Sequence, residues 1–239
     1  MVDSSALLAW MAISTLRQEI MRYDIYTKRA SQCCSSGSLY RAEAQHRCRF
    51  LKGGQSMSKS ALMVMDVQNG IVDRYGNPEG LQPVQFAVRS ARAHGIAVIF
   101  VRVAFRPGYP DVSPNNRSFS SIRQMGGMIE TDHATQIWQG VQPEGDEVVV
   151  VKRRVSAFTG SGLEVILRAQ NVDHLILCGI ATSGVVLSTL RQAADLDYRL
   201  TVLSDACLDS DPEVHRLLIE KVFVRQAEVL SVAQWDATL

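Results

Sequence analysis

The chain holds 239 residues with a formal net charge of +1, 46% hydrophobic and 21% charged side chains. It is long enough for one large core or two small ones, and its near-neutral balance gives no basis for a nucleic-acid or acidic-membrane partner. The first apolar stretch, residues 6–13, is too short to span a bilayer, and it follows Asp3 rather than a basic segment, so a signal peptide is not expected.

Residues 1–56 differ from the rest in character. They carry eight Lys/Arg against four Asp/Glu and three of the five cysteines (Cys33, Cys34 and Cys48). Residues 6–26 have the spacing of a short amphipathic helix, but the punctuation that bounds folded elements is missing after them. The expectation is an N-terminal extension, poorly ordered or a misassigned start, with the folded domain spanning residues 57–239. Cys178 and Cys207 fall in or after predicted strands and make no C-x-x-C spacing, so reduced buried thiols and a cytoplasmic protein are expected.

From Met57 the pattern is regular. Residues 61–65 form a continuous apolar run ending at Asp66, which suits a buried parallel strand. Turn chemistry at Asn77-Pro-Glu-Gly80 precedes helical spacing over 84–93, closed by Gly95. Residues 96–103 predict a second strand. A polar connection rich in Gly, Pro and Asn then runs over 104–146, a length typical of a binding loop or lid. Residues 147–151 predict the third strand, ending in Lys152. Ser161 and Glu164 have capping-box spacing for a helix to about Ala169. Strand 173–177, helix 183–197 and strand 199–203 follow. Pro212 sits where a helix begins, and residues 228–232 suit a sixth strand. Strands alternating with helices imply an α/β sandwich with a mostly parallel sheet.

The stretch Leu175-Ile-Leu-Cys-Gly-Ile-Ala-Thr-Ser-Gly-Val185 reads as strand, sharp turn and helix start. Such a turn presents backbone N–H groups above the sheet and suits an anion or oxyanion. Asp66, Lys152 and this turn all lie just past strand ends, where open α/β sheets place ligands.

Three blocks, Ala61-Leu-Met-Val-Met-Asp-Val-Gln-Asn69, Val151-Lys152 with Ser156-Ala-Phe158, and Gly179-Ile-Ala-Thr182 with Leu187-Ser-Thr189, resemble the signature blocks of the isochorismatase-like hydrolases, or cysteine hydrolases. The likeness covers residues 58 to about 235. It implies a three-layer α/β/α sandwich whose six-stranded sheet has the order 3-2-1-4-5-6. It also implies Asp66 as general acid or base, Lys152 as its electrostatic partner, and a cis peptide at Ile180-Ala181. The oxyanion donors would be the Ala181 and Val185 N–H groups, with Ile180 completing the turn. The family's nucleophilic cysteine falls at Val185, which has no thiol. Ser183 offers a hydroxyl nearby, though a serine there also serves as a helix N-cap.

For substrate binding the expected residues are Gln68, Phe105, Arg106, Arg117, Phe158 and Thr182. Alternatives stand beside several of them. Gln68 and Asn69 also suit loop hydrogen bonding, Phe158 suits the core, and Arg106 and Arg117 suit exposed loop positions. The histidines show no ligand spacing, so neither metal nor other cofactor is expected. The resemblance implies a small-molecule substrate and a homodimer or homotetramer. Two functions remain: hydrolysis of an amide, urea or vinyl ether by Asp/Lys-assisted water attack or protonation, or a ligand-binding or assembly role without catalysis.

Overall fold

The computed structural model describes residues 59–75 and 79–239, so the expectations for residues 1–56 and for Asn77-Pro78 lie outside the described residues. Six strands form one sheet of order β3-β2-β1-β4-β5-β6, every neighbouring pair parallel. They are β1 (Lys59–Met65), β2 (Ala97–Val103), β3 (Val148–Lys152), β4 (Val172–Ile180), β5 (Arg199–Leu208) and β6 (Glu228–Leu230). The helices are α1 (Asn69–Tyr75), α2 (Gln82–Ala93), α3 (Arg117–Met125), α4 (Leu163–Ala169), α5 (Leu187–Asp195), α6 (Pro212–Leu217) and α7 (Val232–Asp236).

The central strands β1 and β4 are apolar over 61–65 and 175–178, where both their faces are covered. Side chains alternate across a strand, so Leu62 and Val64 pack with Ile176 and Cys178 under α2 and Trp235 of α7. Ala61, Met63 and Met65 point the other way, with Leu175 and Leu177, under Leu163 and Leu167 of α4 and Leu190 of α5. The result is the expected three-layer sandwich. The order in which strands are added reverses between β1 and β4, and open α/β sheets place ligands at the carboxyl ends beside such a switch point.

Several elements differ from the sequence expectation, each for a local reason. Helix α1 was not anticipated; its backbone entry is held by the Ile71 and Val72 N–H groups donating to Gln68 O. The 104–146 connection contains α3, N-capped by Asn116, whose side chain accepts from the Phe119 N–H at 3.1 Å. The capping box at Ser161 does not form: its hydroxyl donates to Ala157 O at 2.5 Å, and Gly162 is the N-cap. A capping box forms instead between Ser231 and Gln234, opening α7 and ending β6 at Leu230. The helix expected over 183–197 starts as a π-type turn, Thr182–Val186, before α5. Strand β5 runs on to Leu208 past an irregularity, with Leu177 pairing with Val202 and Gly179 with Cys207. No helix among the described residues is long and apolar enough to cross a membrane.

Gly179 is where β4 must pass closest to β1. Its φ is +136°, and a Cβ there would stand 2.0 Å from the Met65 carbonyl oxygen. Backbone on both sides leaves that clash no way to relax. Gly179→Ala is therefore expected to cost about 3–5 kcal/mol of unfolding free energy by chemical denaturation. A loss under about 1 kcal/mol, the ordinary scale of a surface change, would contradict the close approach.

Candidate active site

Asp66 follows the last residue of β1 with φ +57°, a left-handed conformation that Asp and Asn adopt more readily than other side chains. Its N–H donates to Val101 O at 2.8 Å, which holds the strand exit against β2. Lys152 ends β3, two strands away, and its buried stem crosses β2 so that Nζ meets Asp66 Oδ2 at 2.8 Å. The ammonium also donates to Arg154 O at 3.1 Å. Lys152 is 2% exposed and Asp66 5%, so little water screens the pair.

Asp66 Oδ1 is buried and has no hydrogen-bond partner. Burial pushes the carboxyl above the ordinary carboxylate range, and the Lys152 charge and hydrogen bond pull part of the way back. The lysine alone would predict a lowered value; desolvation is the larger effect here.

The third component is the turn after β4. The Ile180-Ala181 peptide is cis, as the resemblance implied, and Ala181 O accepts from the Gly184 and Val186 N–H groups. Two side chains from beyond β5 grip this turn. Asp209 Oδ2 accepts the Ser183 N–H at 2.7 Å, and the Thr182 hydroxyl bonds His215 Nδ1 at 2.8 Å. Burial works to raise the Asp209 carboxyl, but N–H bonds from Ser183, Asp211 and Ser210 outweigh it and hold it below its usual range.

Asp66, Lys152, Ile180, Ala181 and Val185 line one cavity of about 550 Å³ at the carboxyl end of the sheet, a size that suits a small molecule. The other expected contacts lie elsewhere. Gln68 is fully buried; its Nε2 donates to Val103 O and Ala134 O, and its Oε1 accepts from Val103 N, so it staples β1's exit to the long connection. Phe105 packs edge-on against Phe119 in a small buried cluster. Arg106 pairs with Asp111 beside it, and Arg117 is an exposed first residue of α3. Phe158 belongs to the core, against Tyr198. Thr182 is buried and turned toward His215. Ser183 is exposed and is not a cavity-lining residue.

Lining residues not anticipated from the sequence are Arg74 and Tyr75 from α1, Phe119 from α3, Val155 after β3, and Asp209 and Ser210 after β5. The α1 pair had a usable signal, since Ile71, Arg74 and Tyr75 are spaced to share one helix face. Phe119 had none, because its helix lies inside an irregular connection. The basic run after Lys152 is partly tied down rather than free: Arg153 pairs with Glu130 and Asp111, and Arg154 donates to Asp111 O.

Cys178 and Cys207 are buried in the sheet, the Cys178 thiol donating to Met63 O at 3.4 Å. Burial raises both thiols, Cys207 to about 12. Among the described residues, no three His, Cys, Asp or Glu side chains gather as a metal site.

Residues 60–234 match the model of the isochorismatase domain. The chain belongs to the isochorismatase-like hydrolase family. It is 33% identical over 168 residues to the uncharacterized isochorismatase family protein YwoC of Bacillus subtilis strain 168, covering 70% of this chain and 87% of the relative. It is 33% identical over 179 residues to the ureidoacrylate amidohydrolase RutB of Yersinia enterocolitica, covering 65% and 78%. Among solved structures, N-carbamoylsarcosine amidase from Thermoplasma acidophilum superposes with a TM-score of 0.60 at 26% identity, covering 73% of this chain and 96% of that one.

The opposed effects on Asp66 give a direct expectation for its titration, followed by carbon-13 NMR of the carboxyl. The midpoint should lie above the ordinary aspartate value of 3.8. Lys152→Met should move it further up, because the cation is the group pulling it down. A midpoint below 3.8, or a downward move in the variant, would contradict the burial argument.

Proposed function

We propose that this protein hydrolyses a small molecule bearing an amide, urea or vinyl-ether group, without a covalent thiol intermediate. The observation that carries the reading is that Asp66, which lines the cavity, has Oδ1 buried and partnerless while Lys152 holds Oδ2. A carboxyl raised by burial holds a proton more readily than an exposed one, which suits a group that takes and returns a proton.

For an amide or urea, Asp66 accepts a proton from water as the water oxygen bonds the carbonyl carbon. The carbonyl electron pair moves to oxygen, and the Ala181 and Val185 N–H groups are the assigned donors to that oxyanion. Asp66 then returns the proton to the leaving nitrogen as the C–N bond breaks. For a vinyl ether, protonated Asp66 delivers its proton to the alkene carbon; water adds to the resulting oxocarbenium carbon and gives a proton back to Asp66, and the hemiketal collapses to a carbonyl and an alcohol as its C–O bond to the leaving oxygen breaks. Lys152 keeps the carboxyl oriented and offsets its charge in either case.

Val185 stands where the family's thiol is expected, and the cysteines of the described residues are sealed in the sheet, so direct water attack is the reading that needs no missing group. The same valine is the one observation that favours a ligand-binding role without turnover.

A panel of ureas, amides and vinyl ethers assayed on wild type and Asp66→Asn separates the two. Hydrolysis is expected in wild type, with the variant slower by about 10²–10⁴ in kcat, the usual contribution of a general acid or base. Equal near-zero turnover in both proteins would overturn the hydrolase reading. Val185→Cys is expected to raise amide hydrolysis in the same assay; no gain would contradict the assignment of that position.

A further inference from the structure

One face of α1 opens on the cavity. Ile71, Arg74 and Tyr75, spaced i, i+3 and i+4, all line it, while Val72 turns into the core. Such spacing stacks side chains on a single helix face. The cavity is lined by four charged side chains: Asp66, Arg74, Lys152 and Asp209. Three of them are already engaged. Lys152 and Asp66 hold each other, and Asp209 accepts N–H groups on both oxygens, from Ser183 at 2.7 Å and from Asp211 at 3.4 Å. Arg74 makes no ion pair with a carboxylate among the described residues. A basic residue in the last turn of a helix suits the helix dipole, but the dipole does not account for its place on the cavity wall.

We propose that Arg74 is the specificity-determining residue of the cavity and binds a carboxylate on the substrate, so that the site selects small acids. The guanidinium offers paired donors that match a carboxylate in plane. The reacting group would lie at the Asp66–Ala181 end, with the acid group toward α1. A ureido acid, the class named in the amidohydrolase relatives, carries both groups. The assignment rests on the hydrolytic reading for which group reacts, but the charge selection itself does not need turnover.

The test uses a matched pair of probes, 3-ureidopropionate and its neutral carboxamide, titrated by calorimetry at pH 7. Wild type is expected to bind the acid at least about tenfold more tightly than the amide, the scale of a charge-assisted hydrogen bond. Arg74→Gln should bind the two alike, with the amide affinity and the thermal midpoint unchanged, and Arg74→Lys should keep part of the preference. The proposal is overturned if wild type binds neither probe, binds them equally, or if Arg74→Gln weakens both by the same factor. Acid preference without hydrolysis in wild type would sink the hydrolase reading and leave the Arg74 assignment standing.

Discussion

A single buried contact, Lys152 Nζ to Asp66 Oδ2 at 2.8 Å, sets the conditions for everything around it. An ion pair shielded from water is a poor source of stability, because desolvating two charges costs as much as or more than their attraction returns. The scaffold must therefore hold both groups rigidly and close together. It does so by running β3 two residues past the level at which β1 ends, with β2 between them, so that the buried lysine can reach back to Asp66. Asp66, in a left-handed backbone conformation, gives one carboxyl oxygen to the lysine and keeps the other buried without a partner. A residue held in an uncommon conformation beside a cavity is the kind of local cost that active sites retain.

The opposite wall is built by different means. Gly179 lets β4 approach β1, and the turn beyond it is pinned from outside by Asp209 and by the Thr182–His215 bond. Those two anchors come from the segment after β5, which reaches the site only because β5 gains extra residues past Leu177's partner. Site and scaffold are thus coupled through the longest strands of the sheet. The segment over 104–146 is fastened separately, by Gln68 at one end and by Arg153 and Arg154 at the other.

The sheet and its site location were legible in the sequence because they depend on local pattern. Continuous apolar runs ending at Asp66 and Lys152 mark buried parallel strands and their carboxyl ends. The second block's lysine and the Gly179 turn had the right spacing to meet that aspartate. Residues whose role depends on distant partners were not legible. Gln68 suits either a ligand contact or a loop hydrogen bond in sequence, and only the fold brings Val103 and Ala134 to it as partners. Ser161 and Glu164 had capping-box spacing, yet Ala157 O claimed the hydroxyl. Ser231 and Gln234 had the same kind of spacing and did form the box, inside a stretch whose apolar run read as strand. Arg74 followed a motif that drew attention to Asp66, and only the helix over 69–75 turns it toward the cavity.

Family membership supports a hydrolase, and the reaction proposed above relies on the Asp66–Lys152 pair rather than on a thiol. The central claim is that Asp66 and Lys152 are kept for chemistry and not for folding. The measurement that bears on it most directly is the unfolding free energy of the double variant Asp66→Asn/Lys152→Met, beside the two single variants. Each single change should lose about 3–5 kcal/mol by stranding a buried partner, and the double variant should recover to wild-type stability or above. A double variant as unstable as the sum of the singles would contradict the claim and make the pair a structural element.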